Sequence, residues 1–418
     1  PDHFTFEEVM TLFLAVMVTD VIILDVFNTL GMPTSTTVSL VFELLGGAFI
    51  LATLKMYGDD SLNYGVLLNS NKALEVIMGI FSSVIIAFVF GAFVMWLSRI
   101  IFTFNYRKHS RYSIAIFGGI AFTALSYFIF MKGLGKSPYL PAEWRDYIDQ
   151  NLGLLLCITF VGSAIVMEFL HLCRINIFKF TVLMGTFALA MAFAGNDLVN
   201  FIGVPLAGLS SYQDYMANAN GATPDQFMMT SLMDSAKTTP LYLLAAGAVM
   251  IIAMATSKKA QNVIKTSVDL SRQDEGDEMF GSSSAARVIV RNCQATDSWL
   301  KQFLPKALMN WINSRFDKND VELEESAAFD VVRAAVNLVL ASMLITIGTN
   351  LKLPLSTTYV TFMVAMGSSL ADRAWSRESA VFRVTGVLSV IGGWFITAGV
   401  AFAACAIVCL IMHFGGVG

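Results

Sequence analysis

Charged residues are scarce in this sequence. They make up 14% of the 418 residues, whereas hydrophobic residues make up 56%, and a soluble domain usually carries about 25% charged residues. Many of the charges fall in one block, 257–333, and no basic tract suited to nucleic acid is present. Several of the remaining runs reach the roughly 20 apolar residues that cross hydrocarbon. The sequence therefore predicts an all-α polytopic membrane protein without a nucleic-acid partner.

Cysteine and histidine are also sparse, which removes the usual signs of a disulfide framework, a metal cluster or a catalytic histidine. The five cysteines show no CxxC and no paired spacing. The four histidines are scattered at positions 3, 109, 171 and 413. We expect no enzymatic activity and no cofactor. The first residue is Pro and no signal peptide is visible, so we expect the chain to be part of a longer protein.

Short basic loops predict the orientation of the chain. The segments 105–111 and 173–179 are basic, and basic loops favour the cytoplasmic side. Counting spans from them places 257–333 in the cytoplasm. The predicted parts are a first transmembrane half (1–111), connecting helices (112–171), the start of a second repeat (172–256), a cytoplasmic linker (257–333) and the rest of the second repeat (334–418).

A Pro-x-Ser-Thr-Thr motif occurs twice, as "MPTSTTVS" (32–39) and "LPLSTTYV" (353–360). A gapless alignment of the two copies also matches Gly46 with Gly367. In the predicted orientation, 34–54 runs outward and 354–371 runs inward. Similar segments of opposite direction indicate two inverted-topology repeats, whose broken or re-entrant helices meet at the midplane and bind substrate there.

The chemistry of the motif favours a helix start inside the membrane. Proline suits the first helical turn, and Ser and Thr are good N-cap residues. Free N–H groups, hydroxyls and the positive end of the helix dipole together form an anion site. A purely structural role, in which the hydroxyls cap their own backbone or aid helix packing, is the alternative. The candidate anion ligands are Ser35, Thr36, Thr37, Ser356, Thr357 and Thr358.

The segment "AFAGNDLVNFIGVPLAG" (192–208) places polar side chains in an otherwise apolar run. We expect a helix broken near 195–197. An intramembrane carboxylate indicates a functional site, although an Asp paired only for structure is the alternative. Asn196, Asp197 and Asn200 offer oxygen ligands for a hard cation, and we predict Na⁺ at Asp197 and Asn196. A bound cation would also offset the charge of an anion.

Other acids in the apolar runs lack partners in the second copy. Asp20 aligns with Ala341, and Glu43 aligns with Val364. Glu43 and Asp25 could serve as additional cation or proton sites.

These motifs resemble those of the inorganic phosphate transporter family, which carries Gly-Ala-Asn-Asp-x-x-Asn and Pro-x-Ser-Thr-Thr motifs in each inverted half. The resemblance implies phosphate at Ser35–Thr37 and Ser356–Thr358, with Asn196 contributing to phosphate binding and Asn196, Asp197 and Asn200 to Na⁺ binding. The sequence departs from the family pattern at three places. Val38 and Tyr359 stand where the family has His, Ala194-Gly195 replaces Gly-Ala, and the Asn-Asp motif of the first half is absent.

The resulting hypothesis is a symporter of inorganic phosphate that works by alternating access, with Na⁺ preferred to H⁺ as the coupling ion. A permease for another tetrahedral oxyanion such as sulfate and a non-transporting phosphate sensor are the alternatives. The expected partners are phosphate, Na⁺ and the lipid bilayer, and a homodimer is compatible with the sequence. The expected location is the inner (plasma) membrane.

Overall fold

The computed structural model describes the chain except for residues 1–2, 33, 59–61, 105, 107–112, 130–140, 234–238, 260–264, 266–267, 269, 272–280, 293–304, 318–328, 352, 354, 375–378 and 416–418. The described residues therefore leave out both motif prolines, Lys352, most of the basic loop at 105–111 and most of the predicted linker. No strand is present among the described residues.

Helices account for nearly all of the described chain. Seven of them are long and apolar enough to cross a membrane, so the protein is an all-α, multi-pass membrane protein, as predicted. The helices are α1 (Phe6–Thr29), α2 (Thr36–Gly58), α3 (Tyr64–Leu67), α4 (Ser70–Phe102), α5 (Ser113–Ser126), α6 (Ala142–Gln150), α7 (Leu152–Leu172), α8 (Ile177–Phe193), α9 (Val199–Asn218), α10 (Pro240–Thr256), α11 (Lys306–Arg315), α12 (Val331–Asn350), α13 (Thr357–Ala371) and α14 (Ser379–Gly415). A π-helical segment (Ala194–Leu198) joins α8 to α9.

Each helix that follows a Ser-Thr-Thr motif packs against a long helix from the other end of the chain. The most extensive helix contacts in the structure are α13 with α4 and α2 with α14. A Cβ atom added at Gly46 would lie 2.1 Å from the carbonyl oxygen of Phe402, and one added at Gly367 would lie 2.2 Å from that of Phe88. Matching glycines thus permit matching close crossings, because only hydrogen fits between the two backbones.

The members of each pair run parallel to one another. Along α13 and α4, the Gly367–Phe88 contact leads to an ion pair between Asp372 and Arg99. Only residues 59–69 separate α2 from α4, so these two helices leave the membrane on the same side and run in opposite directions. It follows that α13 runs opposite to α2. This arrangement agrees with inverted repeats, which remain a prediction.

A buried charge cluster joins the ends of α4, α12 and α13. The guanidinium of Arg99 donates to both oxygens of Asp372 (2.6 and 2.9 Å) and of Asp330 (2.9 Å each). Arg333 lies 3.6 Å from Asp372, and Arg99, Arg333 and Asp372 are fully buried. Burial raises the pKa of Asp330, but the positive charges of Arg99 and Arg333 outweigh it and lower that pKa below its usual value. Sequence reasoning missed this cluster.

One expectation about helix shape needs correction. The segment expected to break near 195–197 instead continues through the π-helical segment as helix up to Asn218. A π turn adds a residue to the turn without ending the helix, and such turns are frequent at functional sites. Within the predicted linker, the structure describes an ordered helix, α11, whose Arg315 donates to the carbonyl oxygens of Ile100 and Ile101 (2.6 and 2.8 Å).

Candidate functional site

Both Ser-Thr-Thr motifs begin helices, as predicted from the sequence. Ser35 accepts a hydrogen bond from the N–H of Val38 (3.2 Å), and Ser356 accepts one from the N–H of Tyr359 (3.1 Å). Both serines are buried. The first serine of each copy is therefore used as a cap. The positive end of each helix dipole lies at the motif.

Helix α13, which follows the second motif, is short. It has 15 residues, which span about 22 Å at 1.5 Å per residue, less than the roughly 30 Å of a hydrocarbon core. Its other end carries the charge cluster at Asp372. A helix start within the bilayer at Thr357 is compatible with this length and stays a prediction.

The π-helical segment and the first turn of α9 connect the two motifs. The hydroxyl of Thr357 donates to Asp197 (2.7 Å to Oδ2 and 3.0 Å to Oδ1). The side-chain amide of Asn200 donates to the hydroxyl of Thr37 (2.7 Å). Asp197 and Asn200 are less than one helical turn apart in sequence. The sequence predicted three groups of polar residues: the Asn-Asp segment and the two Ser-Thr-Thr motifs. The structure brings all three together.

The orientation of Asn196 leaves an oxygen available. Its amide nitrogen donates to Asp197 Oδ1 (3.0 Å) and to the carbonyl of Leu355 (3.1 Å). Its side-chain oxygen, Oδ1, has no hydrogen bond among the described residues, whereas its backbone carbonyl oxygen accepts one from the N–H of Val199. The Asp197 carboxylate, the Asn196 carbonyl and the Thr357 hydroxyl together form an oxygen-rich donor set of the kind that hard cations take.

The middle residue of the first motif and the last residue of the second have free hydroxyls. Thr36 and Thr358 are half-buried, and neither hydroxyl makes a hydrogen bond to another described residue. The six hydroxyls therefore divide into three kinds: Ser35 and Ser356 cap helices, Thr37 and Thr357 contact the Asn-Asp segment, and Thr36 and Thr358 are available to a ligand.

An aromatic stack behind the second motif was not anticipated. Tyr359 stacks on Trp394 of α14 with ring centroids 3.8 Å apart. Tyr359 is 2% exposed, and its hydroxyl has no hydrogen-bond partner. The only signal in the sequence was the aromatic residue at a position where the resembled family has His.

Basic side chains are absent from the described surroundings of the two Ser-Thr-Thr motifs and Asp197. No Lys or Arg contacts the two motifs or Asp197 within the part of the chain that the structure describes, and no cluster of His, Cys, Asp and Glu suited to a metal ion is found among those residues. Any positive charge near a bound anion would have to come from the helix ends or from a bound cation.

Comparison with known proteins agrees with this arrangement. A family model described as the phosphate transporter family matches residues 1–267, which include the first Ser-Thr-Thr motif and the Asn-Asp segment. A solved structure described as a sodium-dependent phosphate transporter is similar in fold, with a TM-score of 0.60 and 15% sequence identity over 98% of this chain and 81% of that chain. Curated protein sequences give no match. The protein belongs to the phosphate transporter family.

Proposed function

We propose that the protein is a secondary transporter that carries inorganic phosphate across the membrane together with Na⁺. The observation that supports this most directly is the joining of the two Ser-Thr-Thr helix starts by Asp197 and Asn200. It supports an anion site at the two helix starts with a cation site beside it at Asp197.

The two helix starts supply the anion site. Phosphate would accept hydrogen bonds from the free hydroxyls of Thr36 and Thr358 and from first-turn N–H groups, which lack partners within their own helices. The opposite directions of α2 and α13 aim two positive dipole ends at one region. Such a site selects a compact oxyanion by its hydrogen-bonding groups without using a fixed positive charge.

Asp197 and Asn196 supply the cation site. Na⁺ at this position would neutralise Asp197 and contribute positive charge next to the phosphate. Because each ion would reduce the electrostatic cost of binding the other, binding would be cooperative, which is the requirement for coupled transport. H⁺ on Asp197 would satisfy the same carboxylate but would leave the Asn196 carbonyl without a ligand, so Na⁺ is the better fit.

Alternating access would then expose this site to either side in turn. The site lies where elements from both ends of the chain meet, as expected for transporters built from related halves. The sensor alternative does not account for the proposed cation ligands beside the anion site, and the geometry gives no specific support to sulfate over phosphate.

Uptake of radiolabelled phosphate into proteoliposomes tests the proposal. An inward Na⁺ gradient should drive uptake. Asp197→Asn should abolish most of it because the substitution removes the negative charge proposed to hold Na⁺, and Thr357→Ala should do so because it removes the hydroxyl that donates to Asp197 at 2.7 Å. Asp25→Asn is a matched control for the first variant, since Asp25 is an exposed acid that pairs with Lys259. Thr256→Ala is the control for the second, since its hydroxyl only bonds its own helix.

Two outcomes would contradict the proposal. Uptake that depends on an H⁺ gradient and not on the Na⁺ gradient would show that H⁺ is the coupling ion. Uptake of sulfate that phosphate does not inhibit would show that sulfate is the substrate.

A further inference from the structure

A second pair of acids lies near the first Ser-Thr-Thr motif and has no part in the site described above. Glu43 of α2 is fully buried, and its Oε1 accepts a hydrogen bond from the Ser39 hydroxyl at 2.7 Å. Asp20 of α1 is half-buried and lies near both Ser39 and Glu43, with which it interacts electrostatically. Two carboxyl groups therefore lie close to one hydroxyl between α1 and α2, and that hydroxyl donates its proton to Glu43.

Each acid has a buried oxygen without a hydrogen-bond donor among the described residues. These atoms are Oε2 of Glu43 and Oδ1 of Asp20, and both are inaccessible to solvent. Buried carboxylate oxygens are normally satisfied, because leaving a charged group unpaired in a low-dielectric interior is very costly. The unpaired oxygens indicate that a positively charged ligand is held here.

The surroundings contain no base that could neutralise the pair. No Lys or Arg contacts Asp20 or Glu43 in the described part of the chain. The titratable group that faces the pair from α14 is the Cys405 thiol, which interacts with Glu43 and Thr19. The remaining titratable groups on the packed helices lie elsewhere: Glu7, Glu8, Lys55, Tyr212, Asp214 and Tyr215 towards the start of α1, and Asp25, Cys409 and His413 further along α1 or α14.

We propose that Asp20 and Glu43 form a proton-binding carboxyl pair, which holds one proton between them and gives phosphate transport a dependence on H⁺ separate from the cation site at Asp197. Neighbouring carboxylates in a low-dielectric interior cannot both ionise without a large penalty, so one group keeps its proton. A bound proton and a bound Na⁺ are distinguishable, because only the proton gives a carboxyl group the absorption of its protonated form.

The pair is particular to the first half of the chain. In the gapless alignment of the two motifs, Asp20 corresponds to Ala341, Ser39 to Val360 and Glu43 to Val364. These three apolar residues belong to one buried hydrophobic cluster. The second motif thus faces Asp197 and is backed by apolar residues, whereas the first motif faces the Asn200 amide and is backed by two acids. The two halves would carry their ionisable groups on different sides of the motif.

The position of the pair suits an influence on the anion site. Ser39 and Glu43 lie on the helix that Ser35 caps, within two turns of Thr37. A change in the charge of Glu43 alters the electrostatic potential at that helix start. The effect on transport rests on the proposed function, whereas proton binding itself does not.

Infrared spectroscopy of the purified protein tests proton binding without transport. At neutral pH the wild-type protein should show the absorption of a protonated carboxyl group, and Glu43→Gln should lose it. Asp20→Asn removes the neighbouring negative charge, so the band of Glu43 should disappear at a lower pH than in the wild type. Asp25→Asn, an exposed acid on the same helix, should leave the band and its pH dependence unchanged.

Phosphate uptake then tests the consequence. With the Na⁺ gradient held constant, an inward H⁺ gradient should increase wild-type uptake, and Glu43→Gln should lose that increase while keeping its response to Na⁺. A protonated-carboxyl band that persists in Glu43→Gln, or one whose pH dependence is the same in Asp20→Asn, would overturn the proposal. Loss of Na⁺-driven uptake in the wild type would instead overturn the proposed function, so the two failures are distinguishable.

Discussion

At the scale of single residues, the polar residues that the structure brings together could be picked out from the sequence, whereas the charge cluster could not. Asn196, Asp197 and the two Ser-Thr-Thr motifs are polar residues within apolar sequence, so their positions alone indicate function. Arg99 and Asp372 stand at the ends of apolar runs, where charged side chains ordinarily anchor a helix at the membrane surface. Their burial results from the packing of α4 against α13, which involves residues far apart in the chain.

The charge cluster leads to a prediction about stability. Asp372→Asn should destabilise the protein by about 3–5 kcal/mol, because it leaves Asp330 as the one carboxylate of the cluster for two buried guanidinium groups, Arg99 and Arg333. Equilibrium unfolding in mixed micelles measures the change. Glu75→Gln is the control: it breaks an exposed pair with Lys72 and should cost only about 0.2–1 kcal/mol. Equal effects of the two substitutions would show that the cluster is not buried in the membrane-embedded protein.

At the scale of elements, the helix boundaries followed from apolar runs, but the way in which α8 continues into α9 did not. Gly195, the two asparagines and Pro205 all favour an interrupted helix, and we expected a break. The structure retains helix through the π-helical segment, which turns Asn196 and Asp197 toward the start of α13. Local sequence cannot distinguish a break from a π turn, because the contacts that stabilise the turn come from the second Ser-Thr-Thr motif.

The close crossings of α2 with α14 and of α13 with α4 lead to a second prediction. Gly46→Ala and Gly367→Ala should each destabilise the protein by about 1–3 kcal/mol, because the added methyl group would overlap a backbone carbonyl. Gly399→Ala is the matched control within α14, where an added Cβ meets nothing within 4 Å, and it should be neutral or stabilising. Thermal unfolding in detergent compares the three variants. A control as damaging as the other two would contradict the close crossings.

At the scale of the whole molecule, fold class was evident from composition, whereas the pairing of helices was not. Long apolar runs and basic loops predict spans and direction, but nothing in the sequence states that α2 contacts α14 more than its neighbours in the chain. The Gly46–Gly367 match indicated a shared role. The structure shows that role to be close packing against the backbones of Phe402 and Phe88.

Orientation in the membrane gives a third prediction. In a background with the native cysteines replaced, Thr223→Cys should react with an impermeant thiol reagent from outside right-side-out vesicles. Ser282→Cys, at the other predicted side, should react only after permeabilisation. Both positions are exposed. Labelling of both from the same side would overturn the predicted orientation of the segments that follow α8.

The reciprocal packing of the long helices has a consequence for motion during transport. Since α2 contacts α14 and α13 contacts α4 more extensively than any other partners, each crossed pair should travel as a single rigid block. The blocks would then be composed of pieces from opposite ends of the polypeptide, and the first half of the sequence would never separate from the second. A hinge would have to lie in the segments that pass between the blocks. One of these is the Asn-Asp turn, which is hydrogen-bonded to Thr37 on one side and to Thr357 on the other and carries the proposed cation ligands.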